Sequence, residues 1–290
     1  MARNTSGSHT SATDARARAR QIQEQQRKKD GRRRTAVIWG SVLAAILVIG
    51  LIVAFALNRG GDEPAAAGPI PAAANEQGGI ELTSATTLAE GAGAREVDAS
   101  TVEVPEQGAA QQPETIPAAE APAEGEPSEI VLYADFNCVH CANFETSNAA
   151  QIEQWLEAGE VTVEYRMVDF LSAPNNQNYS ARAANAAYCV ADQKPEAYNG
   201  FVTALFGTYQ EHGGKGIDNA ALTQLAQDNG ADIASCVEDG TFRSAVEHTT
   251  RQAQAAGVGG TPTVFMDGEN WAIGGPDQSF QEWAQSKISG

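Results

Sequence analysis

The chain has 290 residues, enough for one or two domains, with 42% hydrophobic residues and a formal net charge of −18. The charge is unevenly spread: residues 1–35 carry ten Lys/Arg against three Asp/Glu, and the remainder carries nine against thirty-four. Beyond residue 35 no basic face exists to neutralise phosphates, which excludes nucleic acid as a partner of the main body.

Residues 1–35 read as a polar, basic tail, with Arg16-Ala17-Arg18-Ala19-Arg20, Arg27-Lys28-Lys29 and Arg32-Arg33-Arg34. Ala36 to Leu57 then runs for 22 residues without a charge. As a helix this is roughly 33 Å, enough to cross a bilayer. The basic cluster before it sets the orientation, with the amino terminus in the cytoplasm and everything after Leu57 outside. The expectation is a single-pass protein of the cell membrane with one transmembrane anchor at 36–57. A cleaved signal peptide is the alternative, because Ala54-Phe55-Ala56 has the small-x-small form of a cleavage site. The apolar run exceeds the usual length of such a signal, about 7–15 residues, which favours the anchor. Residues 58–127 are rich in Ala, Gly, Pro and Glu, lack aromatic residues, and read as a flexible tether. One alternation, Ile80-Glu81-Leu82, permits a short strand near 80–82.

The folded domain is expected over 128–290. Ile130-Val131-Leu132-Tyr133 is an apolar run typical of a buried strand, and Phe144, Ile152, Trp155 and Leu156 follow at helical spacing. Between them stand Cys138 and Cys141, at the handover from strand to helix. There the unpaired amides and the positive end of the helix dipole favour thiolate over thiol. Cys138, at the helix start, reads as the attacking sulfur, and Cys141, one turn in, as the resolving one. His140, when protonated, adds a positive charge beside them. Half of a zinc site and a short structural bridge are the other readings of this pair. Cys189 and Cys236 are single and far apart, which disfavours zinc.

Val161–Val168 reads as the next strand, and strand, helix, strand in so few residues implies a parallel pair. Residues 178–257 show only helical patterns: Tyr179–Val190, Glu196–Tyr209, Asn219–Gln227, and a start at Asp239-Gly240-Thr241 leading to Ala256. Cys189 and Cys236 fall within this insertion. Outside the membrane two free thiols are expected to oxidise, so they are read as a structural disulfide, with two buried free cysteines as the alternative. Closing that loop removes chain entropy equivalent to roughly 4 kcal/mol. His212, in a glycine-rich stretch with no strand before it, reads as part of a surface loop. Asp135 and Asp169 can serve proton transfer near the sulfurs, or Asp135 can cap a turn. Thr263–Met266 reads as a strand with Asp267-Gly268 as the turn before Trp271-Ala272-Ile273, and Gln278–Ile288 as a closing helix.

The Phe-x-Cys-x-x-Cys motif from Phe136 to Cys141, the late Gly260-Thr261-Pro262 and their spacing resemble the DsbA-like branch of the thioredoxin fold. The chain is most similar to the membrane-tethered thiol–disulfide oxidoreductases of actinobacteria. The resemblance implies an α/β thioredoxin-like fold with a helical insertion, preceded by one transmembrane helix and a disordered linker. It implies that Pro262 is cis and faces Cys138, and that Thr261 offers backbone groups to an extended client. Catalysis would rest on Cys138, Cys141, His140, Thr261 and Pro262, with no cofactor and no metal. The implied activity is oxidation of secreted or envelope protein thiols, with a membrane redox partner for recycling and a monomeric enzyme. A reductase for a dedicated client, or a peptide-binding chaperone module, would share these residues. The family usually has Pro-His between the cysteines, where this chain has Val139-His140, and the difference bears on oxidising strength and on the partner.

Overall fold

The computed structural model describes residues 65–105, 112–119, 121–123 and 125–288. The expected basic tail and membrane segment lie outside these residues. Among the described residues no helix is long and apolar enough to cross a membrane.

The strands are β1 (Ala67–Pro69), β2 (Ile80–Ser84), β3 (Thr87–Leu88), β4 (Glu96–Asp98), β5 (Ser128–Ala134), β6 (Val161–Met167), β7 (Thr263–Met266) and β8 (Glu269–Asn270). The helices are α1 (Val139–Glu157), α2 (Tyr179–Gln193), α3 (Tyr198–Gly207), α4 (Tyr209–His212), α5 (Asn219–Asp228), α6 (Ala234–Asp239), α7 (Arg243–Ala255), α8 (Trp271–Gly274) and α9 (Phe280–Ile288). Six strands form one sheet in the order β3-β2-β6-β5-β7-β8, while β1 and β4 pair separately. β5 and β6 are parallel, from Ser128↔Val161 to Ala134↔Met167, as a crossover through α1 requires. β7 runs antiparallel on the other side of β5, which brings Thr263 opposite Tyr133.

Side chains alternate across the sheet, and both faces are covered. Ile130, Leu132, Ala134, Val163, Tyr165, Met167, Val264 and Met266 join the helices in the main core. Val131, Tyr133 and Phe265 form a second cluster with Ile116, Val168, Ala253 and Val258. Burial on both faces is why β5 reads as an unbroken apolar run.

The structure differs from the expectation of a tether over 58–127. Ile80 and Leu82 are fully buried, and β2 pairs antiparallel with β6 at Ile80↔Tyr165 and Leu82↔Val163. Asn75 fixes the turn before β2, donating from Nδ2 to Glu164 Oε1 at 2.7 Å and accepting at Oδ1 from the amides of Gln77 and Gly79. Gly78, at φ +80°, admits no side chain, because a Cβ would lie 1.9 Å from Thr249 Oγ1. Residues 112–119 form a strap across the other face, with Ile116 and Ala119 buried. Composition hides these contacts, since a few anchoring side chains are diluted among Ala, Gly and Pro.

Three local expectations are corrected. The Glu196–Tyr209 helix is split, beginning with a 3-10 turn at Pro195–Ala197 and breaking after Gly207. Asp239-Gly240-Thr241 ends α6 instead of starting a helix: Gly240, at φ 60°, takes the left-handed capping position that glycine fills best. Trp271-Ala272-Ile273 is a helical turn, because the Asn270 side chain accepts from Ala272 N at 2.9 Å and caps it. Cys189 on α2 and Cys236 on α6 are disulfide-bonded, with Cα atoms 6.0 Å apart.

Beneath the strap lies a buried ion pair. Arg166 Nε donates to Glu164 Oε1 at 2.5 Å, with the two side chains 0% and 2% exposed. The same guanidinium donates to Tyr133 Oη at 2.8 Å and to the carbonyls of Pro117 and Ala118, each at 2.9 Å. Arg166→Met leaves a buried carboxylate without its cation and is expected to cost about 3–5 kcal/mol in urea unfolding. The double variant Arg166→Met/Glu164→Leu is expected to lose much less.

Candidate active site

The site is built where β5 gives way to α1. Asp135, 0% exposed, shapes the turn: its Oδ1 accepts from Asn137 N at 2.8 Å and its carbonyl from Cys138 N at 3.0 Å. Oδ2 accepts from Leu171 N at 2.9 Å, tying in the loop after β6. Of the two readings of Asp135, turn capping is the one its contacts support. Burial pushes its carboxyl up to about 6. Asp169 is engaged elsewhere, accepting from Thr250 Oγ1 at 2.7 Å.

Cys138 occupies the position before the first residue of α1, with extended backbone at φ −91° and ψ 120°. Its sulfur lies 3.3 Å from the Thr261 carbonyl, across a cis Thr261–Pro262 bond. The loop before β7 therefore lies against the start of α1, as the resemblance implied. The Cys138 thiol is lowered to about 5: the Cys141 thiol hydrogen-bonds to it, outweighing its burial, and the Thr261 side chain with the amides of Cys141 and His140 adds to the effect. His140 thus contributes through its main chain, while its side chain belongs to an exposed residue. Cys141 is 1% exposed, and burial, reinforced by the neighbouring Cys138, drives its thiol far up. Both thiols are free. One sulfur is a ready thiolate and the other a reluctant one, an asymmetry suited to forming and resolving a mixed disulfide.

The surroundings include residues that the sequence reading passed over. The glycine-rich loop reaches the site, where Asn137 Nδ2 donates to Gly214 O at 3.1 Å. His212 holds that loop, its Nδ1 accepting from the amides of Gly214 at 3.2 Å and Gly216 at 3.1 Å. Burial keeps the His212 pKa below its ordinary value. Glu145 is wholly buried one turn beyond Cys141 on α1, and burial pushes its carboxyl up to about 7. Its position four residues after Cys141, on the same face as Phe144, Asn148 and Ile152, was the available signal. Among the described residues, the large apolar side chains left exposed are Val139, Leu171 and Ile273. Val139 lies between the cysteines, and Leu171 is bound through its amide to Asp135. No third ligand joins the two sulfurs in a metal-binding group among the described residues.

Comparison with known proteins places this geometry. The family model described as Thioredoxin matches residues 123–285. Reduced DsbA from Mycobacterium tuberculosis is 30% identical, with 61% of this chain and 89% of that chain covered and a TM-score of 0.50. The reduced disulfide bond oxidoreductase DsbG of the same organism is 32% identical, with 61% and 85% covered and a TM-score of 0.50. The serine/threonine-protein kinase PknE of M. tuberculosis is 31% identical over 150 residues, 48% of this chain and 26% of the kinase. The chain thus spans about a quarter of the length of the curated relatives it matches.

The lowered Cys138 pKa has a consequence that can be measured. Alkylation of the reduced protein is expected to modify Cys138, not Cys141, with a midpoint near pH 5. Between about 5 and the ordinary thiol value of 9.0, the folded reduced protein binds fewer protons than the unfolded chain. The contribution of Cys138 is complete above that upper limit and lost as pH falls through about 5; because Asp135, Glu145 and Cys141 shift the other way, the difference between urea melts of the reduced wild type and a Cys138→Ala variant isolates it.

Proposed function

The chain belongs to the thioredoxin family, in its DsbA-like branch, and from that premise we propose that it oxidises the thiols of extracytoplasmic proteins through Cys138 and Cys141. The observation that carries this reading is the placement of two free thiols: Cys138 stands at the start of α1, 3.3 Å from the Thr261 carbonyl beside the cis Thr261–Pro262 bond, and Cys141 is buried one turn in.

The reaction starts from the oxidised Cys138–Cys141 disulfide. A client thiolate attacks Cys138 Sγ, the enzyme S–S bond breaks, and Cys141 leaves and takes a proton. A second client thiolate then attacks the client sulfur of the mixed disulfide and expels Cys138 as a thiolate. The client gains a disulfide, and the enzyme holds two electrons as a dithiol, which a membrane redox partner removes. A stabilised thiolate is a good leaving group and favours the reduced enzyme, which makes the oxidised form an oxidant. The Thr261–Pro262 segment beside Cys138 offers an extended client a surface to lie against, and exposed Val139 and Leu171 favour unfolded, apolar segments. No cofactor or metal enters these steps.

The Cys189–Cys236 disulfide supports an oxidising compartment. The charge-free segment 36–57, preceded by its basic cluster, supports a membrane anchor that holds the domain outside the cytoplasm. We take the enzyme to act as a monomer. Two measurements test the reading. A Cys141→Ala variant is expected to accumulate client mixed disulfides at Cys138, and their absence would sink the mechanism. The Cys138–Cys141 potential is expected above about −180 mV, whereas a value around −270 mV would make the protein a reductase.

A further inference from the structure

The glycine-rich loop after α4 is fixed from two sides. His212 Nδ1 accepts from the amides of Gly214 and Gly216, and the His212 carbonyl accepts from Lys215 N at 3.1 Å. The imidazole in turn lies edge-on to the rings of Tyr179 and Tyr209, with centroids 5.0 Å and 5.2 Å away. From the other side, Asn137 Nδ2 donates to Gly214 O at 3.1 Å. Lys215 follows the residue that makes this contact, and Asn137 precedes Cys138. Ordinary bond lengths along that path place the Lys215 Cα within roughly 14 Å of the Cys138 Cα.

Lys215 is exposed and has no ion-pair partner among the described residues, whereas Lys194 is paired with Glu196 and Lys287 with Glu269. The first turn of α1 carries no acidic residue either. A pinned loop therefore holds a cation with no counter-charge at the mouth of the site, on a chain whose net charge is −18.

We propose that Lys215 is a specificity-determining residue, favouring clients that carry a carboxylate two to four positions from the reacting cysteine. The inference rests on the oxidoreductase reading above and adds a charge preference to it. An extended segment advances about 3.3 Å per residue, so two to four positions span about 7–13 Å, the separation between Cys138 and the loop. At physiological ionic strength a charge acts over about 8 Å, so Lys215 selects among side chains already beside the site. The acidic body repels a negative client at longer range, and the contact with Lys215 offsets that repulsion locally.

The test measures how fast an excess of one-cysteine peptide reduces the oxidised full chain. Two peptide thiols yield one peptide disulfide and the Cys138–Cys141 dithiol. The peptides carry either Glu or Lys at the second to fourth positions on both sides of the cysteine. Wild type, Lys215→Gln and Lys215→Glu are compared, and the readout is each protein's Glu-to-Lys rate ratio. The peptides' own thiol reactivity and the field of the acidic body are common to all three. Lys215 is exposed and unpaired, so both substitutions leave the fold in place. The wild-type ratio is expected to exceed that of Lys215→Gln about two- to fivefold, the worth of an exposed ion pair. The Lys215→Glu ratio is expected to fall below that of Lys215→Gln by a similar factor. In about 1 M salt, where charges are screened within about 3 Å, the three ratios are expected to converge. Low-salt ratios that agree within about 1.5-fold, or differences that persist in high salt, overturn the inference. A wild-type protein that neither peptide reduces overturns the oxidoreductase reading itself, which is a different result from an active enzyme without charge preference.

Discussion

The site depends on where one sulfur is held. Cys138 sits immediately before α1, beside the first-turn amides of His140 and Cys141, which have no partner within the helix and favour its thiolate. The Thr261 side chain approaches from the opposite side, and the Cys141 thiol hydrogen-bonds from within the helix. Each of these contacts stabilises the thiolate more than the thiol, and together they overcome burial, which acts in the opposite sense. Cys141 receives the same burial without that compensation, so two residues of one type and three positions apart acquire opposite chemistry.

Much of the remaining structure serves to keep that sulfur in register. Asp135 fixes the turn into α1 and binds the loop after β6, so the start of the helix cannot shift independently of the sheet. The antiparallel pairing of β7 with β5 brings Thr263 beside Tyr133 and thus carries the Thr261–Pro262 segment to the mouth of α1. Arg166 and Glu164 clamp the strap on one side and Asn75 on the other, which fastens chain outside the strand–helix–strand core to β6. The disulfide between α2 and α6 does the same within the helical insertion. On the proposed function, client recognition falls to the segments around this centre, among them the glycine loop at Asn137 and the exposed Val139 and Leu171.

What could be read from the chain follows from which interactions are local. Strand, helix and cysteine placement at 130–156 were legible because an apolar run, a helical period and two cysteines at its start lie within thirty residues. The hairpin turn at Asp267-Gly268 was legible for the same reason, in that a turn requires particular residues at adjacent positions. Of 65–105 only the alternation at 80–82, which is part of β2, was legible; the rest was not, because anchors such as Asn75 acquire meaning only against Glu164, some eighty residues away. Nor could Asp239-Gly240 be assigned from spacing alone, since Asp is at home at a helix start and Gly at a helix end, and the surroundings decide which prevails.

The sequence by itself determined the chemistry on offer: a thiol pair at a strand-to-helix junction, a second pair of cysteines suited to a bridge, and an acidic domain preceded by a charge-free span. Those properties reside in residue identity and short spacing, and any fold that kept the junction would retain them. Tertiary structure alone decided how far each thiol shifts and what stands beside it. The shift depends on burial and on groups more than a hundred residues distant, such as the Thr261 side chain beside Cys138, which only the closed sheet brings together.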